Sequence, residues 1–460
     1  MGTLSSALDI AVGAMQAEEA ALDTTSNNIA NANTPGYSRQ TVSLEAEPPI
    51  EYGGQLFGNG VEIGQITSQR NSALQSMLDQ QTSQQGQNSA FLTTMQQVQT
   101  LFNETSGDGL QTSISAFFNS LQQLSTSPSD TNLRQAVLTA ASNMAQNFNS
   151  ASANLTSLQQ NMNTTVTQSV SQVNSLTSQI AQLNQQIGGA VASGQNAGTL
   201  IDQRTQLVNQ LAGIIDVSEI DAGNGSLTLT TGNGTALVVG NKSFQLSSQA
   251  NPTTGFQDVY SPGGDITSAI SGGSLGGAIQ ARDTAIPSTI STLDSIASNL
   301  ENSFNSVNEA GFDLSGNPGG DFFVPPPANG QGAAATMAVA LTDPSKIAAS
   351  LDGTAGDNSN ITAMLAIQNQ NIVNGQTPLG AYSTLIFQVG NDVSTAQSQQ
   401  NGVQATIQQL QNQIASVSGV SINEESTNLV QYEQAYQAAA QVASIIASLT
   451  ATTISMVSSH

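Results

Sequence analysis

Residues 24–39 read TTSNNIANANTPGYSR, and the fold turns on this stretch. It ends an apolar helix pattern in a run of asparagines and then stops it at Thr34-Pro35-Gly36-Tyr37. Proline pushes the residue before it out of the α region, and Pro-Gly suits the two central positions of a type II turn. Beyond the turn, Val42, Leu44 and Ala46 alternate with Ser43, Glu45 and Glu47, the period of a short strand. A helix is punctuated hard and the chain reverses into extended structure. Asn31, Asn33, Thr34, Pro35, Gly36 and Tyr37 are the expected residues of this joint.

Upstream of it, Leu4, Leu8, Ala11, Met15, Leu22 and Ile29 fall on alternating four- and three-residue steps, with Glu18 and Thr25 filling two of them. That is a narrow heptad seam. The other end of the chain carries a counterpart. After a break at Ser418-Gly419, Ile422, Leu429, Tyr432, Tyr436, Ala439, Ala443, Ile446, Thr453 and Val457 form a second seam. Asn423, Glu424 and Glu425 suit the start of that helix and its dipole. Neither seam has a partner nearby in sequence. Antiparallel pairing of the two ends would set Leu4, Leu8, Met15, Leu22 and Ile29 against Leu429, Tyr432, Tyr436, Ile446 and Val457, and these are the candidate assembly residues.

Between the ends the text is mainly helical. The longest pattern runs from Leu133 to Ile187 in steps of three and four. As one helix it spans roughly 80 Å at about 1.5 Å per residue, too long for one stripe in a compact ball, so it implies a rod. A further seam runs from Tyr382 to Val417. From Val217 to Tyr260 the period falls to two, broken by Gly-Asn-Gly and Gly-Asn-Lys turns, which reads as an antiparallel β insertion on the outside of the rod. Residues 312–349 are a Gly/Pro-rich connector with a short strand at Met337–Leu341. The expected fold is mainly α: an elongated helical rod, a coiled coil of both termini and a small β module. Its expected domains are 1–44 with 419–460, 45–215 with 271–418, and the insertion 216–270.

Composition excludes much chemistry. The 460 residues include no Cys, no Trp and a single histidine at the terminal position, His460, so His- or Cys-based catalysis and thiolate metal sites have nothing to use. A net charge of −24 with only seven Lys+Arg argues against nucleic acid and against anionic membranes. The start MGTLSSALDI has no basic segment of a signal peptide, and no run reads as approaching transmembrane length. Asp313, Asn317 and Asp321 fail the spacing of a calcium loop and read as a solvated turn. Adjacent carboxylates such as Glu18-Glu19 and Glu424-Glu425 point to different helix faces, so no enzyme is expected.

SNNIANANTPGYSRQ (Ser26–Gln40) resembles the N-terminal motif of the bacterial flagellar rod, hook and hook-associated axial proteins. Further stretches are similar to the hook-associated protein 1 family of hook–filament junction proteins. They are GNGVEI (Gly58–Ile63), RQAVL (Arg134–Leu138), LIDQRTQLVNQL (Leu200–Leu211), the pair SLGGAIQARD (Ser274–Asp283) and GFDLSGNPGGDFF (Gly311–Phe323), and GVSINEESTNLVQYEQAYQAAAQV (Gly419–Val442). Asn308 stands where the family pattern leads one to expect a histidine, and the chain is short for the family.

The resemblance implies a non-enzymatic subunit without cofactors. It implies a homo-oligomeric ring in the flagellar axis, seated on hook protein and seating the second junction protein. It also implies extracellular residence after export by the flagellar type III apparatus without signal cleavage, and an export chaperone on the C-terminal helix. No nucleic acid and no membrane insertion are expected. A hook or distal-rod protein shares the N-terminal motif, and a secreted coiled-coil adhesin or effector would share the composition. The paired end motifs and the long heptad body favour the junction subunit.

Overall fold

The computed structural model describes residues 2–52, 54–103, 109–223 and 225–458. In chain order, α1 (Gly2–Ala30) leads into β1 (Gln40–Ala46), β2 (Ile50–Tyr52), β3 (Gln55–Phe57) and β4 (Val61–Ser68). The helices α2 (Ser72–Leu101), α3 (Leu110–Thr126), α4 (Thr131–Ala192) and α5 (Gly198–Ala212) follow. Seven short strands come next: β5 (Ser218–Asp221), β6 (Leu227–Thr230), β7 (Ala236–Val239), β8 (Lys242–Ser243), β9 (Ser247–Ala250), β10 (Gln257–Ser261) and β11 (Gly264–Asp265). The chain closes with α6 (Gly273–Gln280), α7 (Ile286–Glu309), α8 (Ala333–Thr336), α9 (Ser359–Ala366), α10 (Pro378–Ser418) and α11 (Ile422–Ser458).

The 62 residues of α4 make one helix, about 93 Å long at ~1.5 Å per residue. Asp130 starts it, its carboxylate accepting from the amides of Asn132 and Leu133 at 2.7 and 3.3 Å. Two cores lie along it. The first half packs Val137, Met144, Phe148 and Leu155 against α3, α7, α10 and the connector. Five rings, Phe117, Phe118, Phe304, Phe322 and Phe323, gather there, with centroid separations between 4.9 and 6.0 Å. The second half packs Val166, Val173, Ile180 and neighbours against α5, α6 and the strands. Met162 touches both cores. Alongside, α2 and α10 run antiparallel, Phe102 meeting Tyr382 edge to face at 6.2 Å.

The β insertion is two sheets, four-stranded β5-β6-β7-β8 and three-stranded β11-β10-β9, all antiparallel. Leu229, Leu237, Val238 and Val259 turn inward and share the second core with α4. A π turn, Ala281–Ala285, joins α6 to α7. Its cause is Pro287 in the first turn of α7, which has no N–H to donate back along the helix.

Several sequence expectations are corrected. Met337–Leu341 forms no strand, only the isolated bridge of Val339 with Phe323. Beyond the strand expected after the turn, β1 pairs antiparallel with β4, and a second hairpin, β2–β3, lies between them. The turn after Asp313 is exposed at Ser315, Gly316, Asn317 and Pro318, but Asp313 itself is buried. Its carboxylate accepts from Lys346 Nζ at 2.9 Å and from the amides of Ser315 and Asn317. Burial raises its pKa, but these donors outweigh that and hold it at about 2. Finally, the segment Pro378–Met456 contains an 18-residue window of mean hydropathy 1.4, long and apolar enough by composition to cross a membrane. Its apolarity comes from the Ala- and Ile-rich second half of α11, which here lies along α1.

Candidate functional site: the joint between the terminal helices and the rod

The end of α1 is built as its residues dictate. Asn31 Nδ2 donates back to Asn27 O at 3.0 Å, and its Oδ1 accepts from Thr34 Oγ1 at 3.2 Å. Tyr37 N–H then donates to Thr34 O at 3.2 Å across Pro35-Gly36. Gly36 has φ +78°, the left-handed value that the third position of a type II turn demands. Asn33, Thr34, Pro35 and Gly36 are exposed, Asn31 and Tyr37 half-buried.

The buried chemistry lies on either side of that turn and centres on Asn28, which the sequence reading did not single out. Asn28 is 1% exposed and uses all four of its bonding positions. Its Nδ2 donates to Gln40 O at 2.8 Å and to Glu425 Oε2 at 2.9 Å. Its Oδ1 accepts from Gln40 N–H at 3.0 Å and from the Tyr37 hydroxyl at 2.8 Å. Burial, followed by the carboxylates of Asp202 and Glu425, raises the Tyr37 pKa, so the phenol keeps the proton it donates.

Glu425, 2% exposed, also accepts from Arg39 Nε at 2.7 Å. Glu424 reaches Arg39 Nη2 at 3.1 Å. The adjacent pair expected to point to different faces therefore meets at one cation. The long guanidinium spans the angle that separates the two carboxylates. Arg39 N–H donates to Ser418 O at 2.9 Å, so one residue ties the strand to both C-terminal helices.

A second cluster fastens the turn to α5. Asp202 accepts from Ser38 N and Oγ at 3.1 and 2.7 Å and from Arg70 Nη2 at 2.7 Å. Arg70 Nη2 also donates to Gly198 O at 2.6 Å. Gln206 Nε2 donates to Pro35 O at 2.5 Å. From the same helix Arg204 reaches Asn184 on α4 and Gly225 O, and Asn209 reaches Asp79 and Thr82 on α2. The LIDQRTQLVNQL stretch is thus a hub, its Asp202 and Gln206 holding the turn, Arg204 holding α4 and the β insertion, and Asn209 holding α2.

From this joint α1 and α11 run antiparallel, Asn28 meeting Glu425 at one end. At the other, Leu4, Ser5, Leu8, Thr450 and Thr453 line a notch of about 200 Å³. The centre of the seam is small residues: Ala11, Ala17, Ala21, Thr24 and Thr25 are buried on α1. Leu4, Leu8, Met15, Leu22, Ile29, Leu429, Tyr432 and Tyr436 are half-buried flanks, and Ile446 is buried. Val457 lies outside the residues whose side chains are described. Val430, Val442, Ile445, Leu449, Ile454 and Met456 stay exposed along α11.

Comparison with known proteins decides what this architecture is. The family described as flagellar hook-associated protein FlgK helical domain matches residues 95–323, and the flagella basal body rod protein family matches 8–37. Flagellar hook-associated protein 1 of Bacillus subtilis is 31% identical, with 95% of each chain covered. The chain belongs to the flagellar hook-associated protein 1 family. The protein of that name from Salmonella typhimurium is 29% identical over 95% of this chain and 97% of its own. The flagellar hook junction protein FlgK from Burkholderia pseudomallei has the same fold, with a TM-score of 0.67 at 19% identity, over 75% of this chain and all of that one. As a family member, this hook-associated protein is a structural component of the bacterial flagellum. The Asn308 that departs from the expected pattern has a structural role. Its Nδ2 donates to Gly320 O at 2.7 Å, and its Oδ1 accepts from Ala348 N–H at 2.9 Å.

Proposed function

We propose that this chain forms the ring that joins hook to filament, sitting on hook protein and seating the second junction protein. Three structural parts support it: an inner unit of both termini (1–44 with 419–460), a rod (45–215 with 271–418) and the insertion 216–270. The ring contacts are made through α1 and α11, whose half-buried flanks (Leu4, Leu8, Met15, Leu22, Ile29, Leu429, Tyr432, Tyr436) remain available to neighbours. The turn Asn31–Tyr37 sets the angle between inner unit and rod. The observation that carries this reading is the exposed apolar row Val430, Val442, Ile445, Leu449 and Met456 on a helix already paired with α1. A second apolar face on a paired helix asks for another partner. The same row needs masking before assembly, which supports an export chaperone on α11 and passage through the flagellar type III apparatus without signal cleavage.

Removing residues 431–460 tests it. Cells carrying the truncation are expected to make hooks without filaments and to shed flagellin into the medium, while the rod and β module remain folded in the purified chain. Normal filaments would exclude the proposal.

A further inference from the structure

Two carboxyl groups from different elements meet where the β insertion leaves the rod. Asp79, on α2, is 2% exposed. Its Oδ1 accepts from Asn209 Nδ2 of α5 at 2.8 Å, and Gln75 Nε2 lies 3.3 Å from the same atom. Asn209 also donates to Thr82 Oγ1 at 3.1 Å. Glu219 comes from β5, the edge strand of the four-stranded sheet, and is half-buried. Its carboxyl group hydrogen-bonds that of Asp79. Carboxyl groups in contact resist joint ionisation, and only a proton between them makes the contact a bond.

We propose that Asp79 and Glu219 share one proton and act as a pH-operated clasp, closing the edge of the β insertion onto α2 in neutral medium and releasing it in alkali. The surrounding charges do not replace that proton. Arg204 of α5 attracts Glu219, but its Nη1 donates to Asn184 Oδ1 of α4 at 2.8 Å and to Gly225 O at 2.7 Å. Asp221, further along β5, repels Glu219. Arg70, whose field reaches Arg204, is held by Asp202 at 2.7 Å. Asp216, just before β5, accepts instead from Gly232 N–H at 2.9 Å. Burial first, then the charge of Asp79 and the bond to it, raise the Glu219 pKa to about 8. Burial raises Asp79 as well, against the bonds from Asn209, Glu219 and Gln75. The protons belong to the pair, and the last one leaves in alkali. A raised folded pKa gives a contribution that is full below about pH 4.5 and lost as pH rises through about 8. Because β5 pairs with β6 alone, it has no second ladder to hold it once the clasp opens. A freed edge presents unpaired N–H and C=O groups, so the clasp also keeps that edge covered.

Amide hydrogen exchange in the full chain, corrected for the intrinsic rise of exchange with pH, reads the clasp at Ser218–Asp221. The chain carries Glu301→Gln throughout, which removes another buried carboxyl that titrates near pH 8. Protection of β5 should hold from pH 5 to 7.5 and fall about tenfold for each unit above 8, while α4 stays protected. Glu219→Gln and Asp79→Asn each place an amide N–H where the shared proton sits. Either variant should keep β5 protected to pH 10. Three results overturn the proposal: β5 protection that does not change with pH, a loss that spreads equally over α4, or a loss in both variants as large as in the parent.

Discussion

Glu425 is where the two ends of the chain meet, through Arg39 at 2.7 Å and Asn28 at 2.9 Å. Alanine there would leave the buried Asn28 amide and the half-buried Arg39 guanidinium without their acceptor, at about 1–3 kcal/mol. Glu424 is exposed, and its bond to the same guanidinium should count for less than about 1 kcal/mol. Thermal melts with amide exchange across 422–432 should therefore separate Glu425→Ala from Glu424→Ala; equal effects would deny the joint its role. The Asn-rich stretch announced a helix end, yet not which asparagine turns inward. Asn28 precedes the seam position Ile29, and only the strand edge at Gln40 and the distant Glu425 select it. Elsewhere on the rod, Glu301 is buried with Oε2 lacking a protein partner. Burial first, and Asp294 second, raise its pKa to about 8. A raised folded pKa binds a proton that the unfolded chain releases near pH 4.5. Its contribution to stability is thus full below that pH and lost as pH rises through about 8. Glu301→Gln should melt with the parent near pH 4.5. At pH 9 it should exceed the parent by on the order of 3–5 kcal/mol, at about 1.4 kcal/mol per pKa unit. A gap of the same size at both values would mean that the charge is not the cause.

Among the elements, α4 was the most legible because its period repeats over 62 residues and tertiary context has little left to decide. The two-residue alternation of β6, Leu-Thr-Leu-Thr, was equally plain, but alternation tells only that one face is buried. It does not say against what. The answer came from groups with no periodic signature. Arg282, fully buried in the π turn, donates to Gln257 O at 2.7 Å and to Asn163 Oδ1 at 3.0 Å. Its fork holds Asp283 at 2.7 and 2.8 Å, and its guanidinium lies 5.5 Å from the Phe256 ring. One side chain thereby ties β10 to α4. Arg134 does the same work on the other core, donating to Pro128 O at 2.6 Å and Ile347 O at 2.7 Å. Neither arginine carries a periodic signal in the sequence that marks it as buried. The β2–β3 hairpin escaped notice for the opposite reason. Ile50, Leu56 and Phe57 are exposed, so no burial pattern marks them as strands.

Across the whole molecule, stability is distributed unevenly. The rod carries both cores and the buried arginines, whereas α1 and α11 meet over a centre of small side chains (Ala11, Ala17, Ala21) with their larger residues at the flanks. Fixing a residue's backbone costs about 1–2 kcal/mol, and alanine burial offsets little of it. The polar tie at Glu425 anchors one end only, and helix nucleation is unfavourable without packing. We therefore expect α1 and α11, 29 and 37 residues long, to gain most of their order when neighbours cover the exposed row on α11. Circular dichroism of the dilute full chain, less that of a chain trimmed to residues 45–418, should show well under half the helix of the two elements. Their amides should exchange within seconds in the monomer while α4 stays protected, and become protected in isolated flagella. A dilute monomer that already shows the full helical signal of both ends would sink coupled folding. The joint would then be a rigid elbow set before assembly, its angle fixed by the turn together with the ties of Asp202, Gln206 and Glu425.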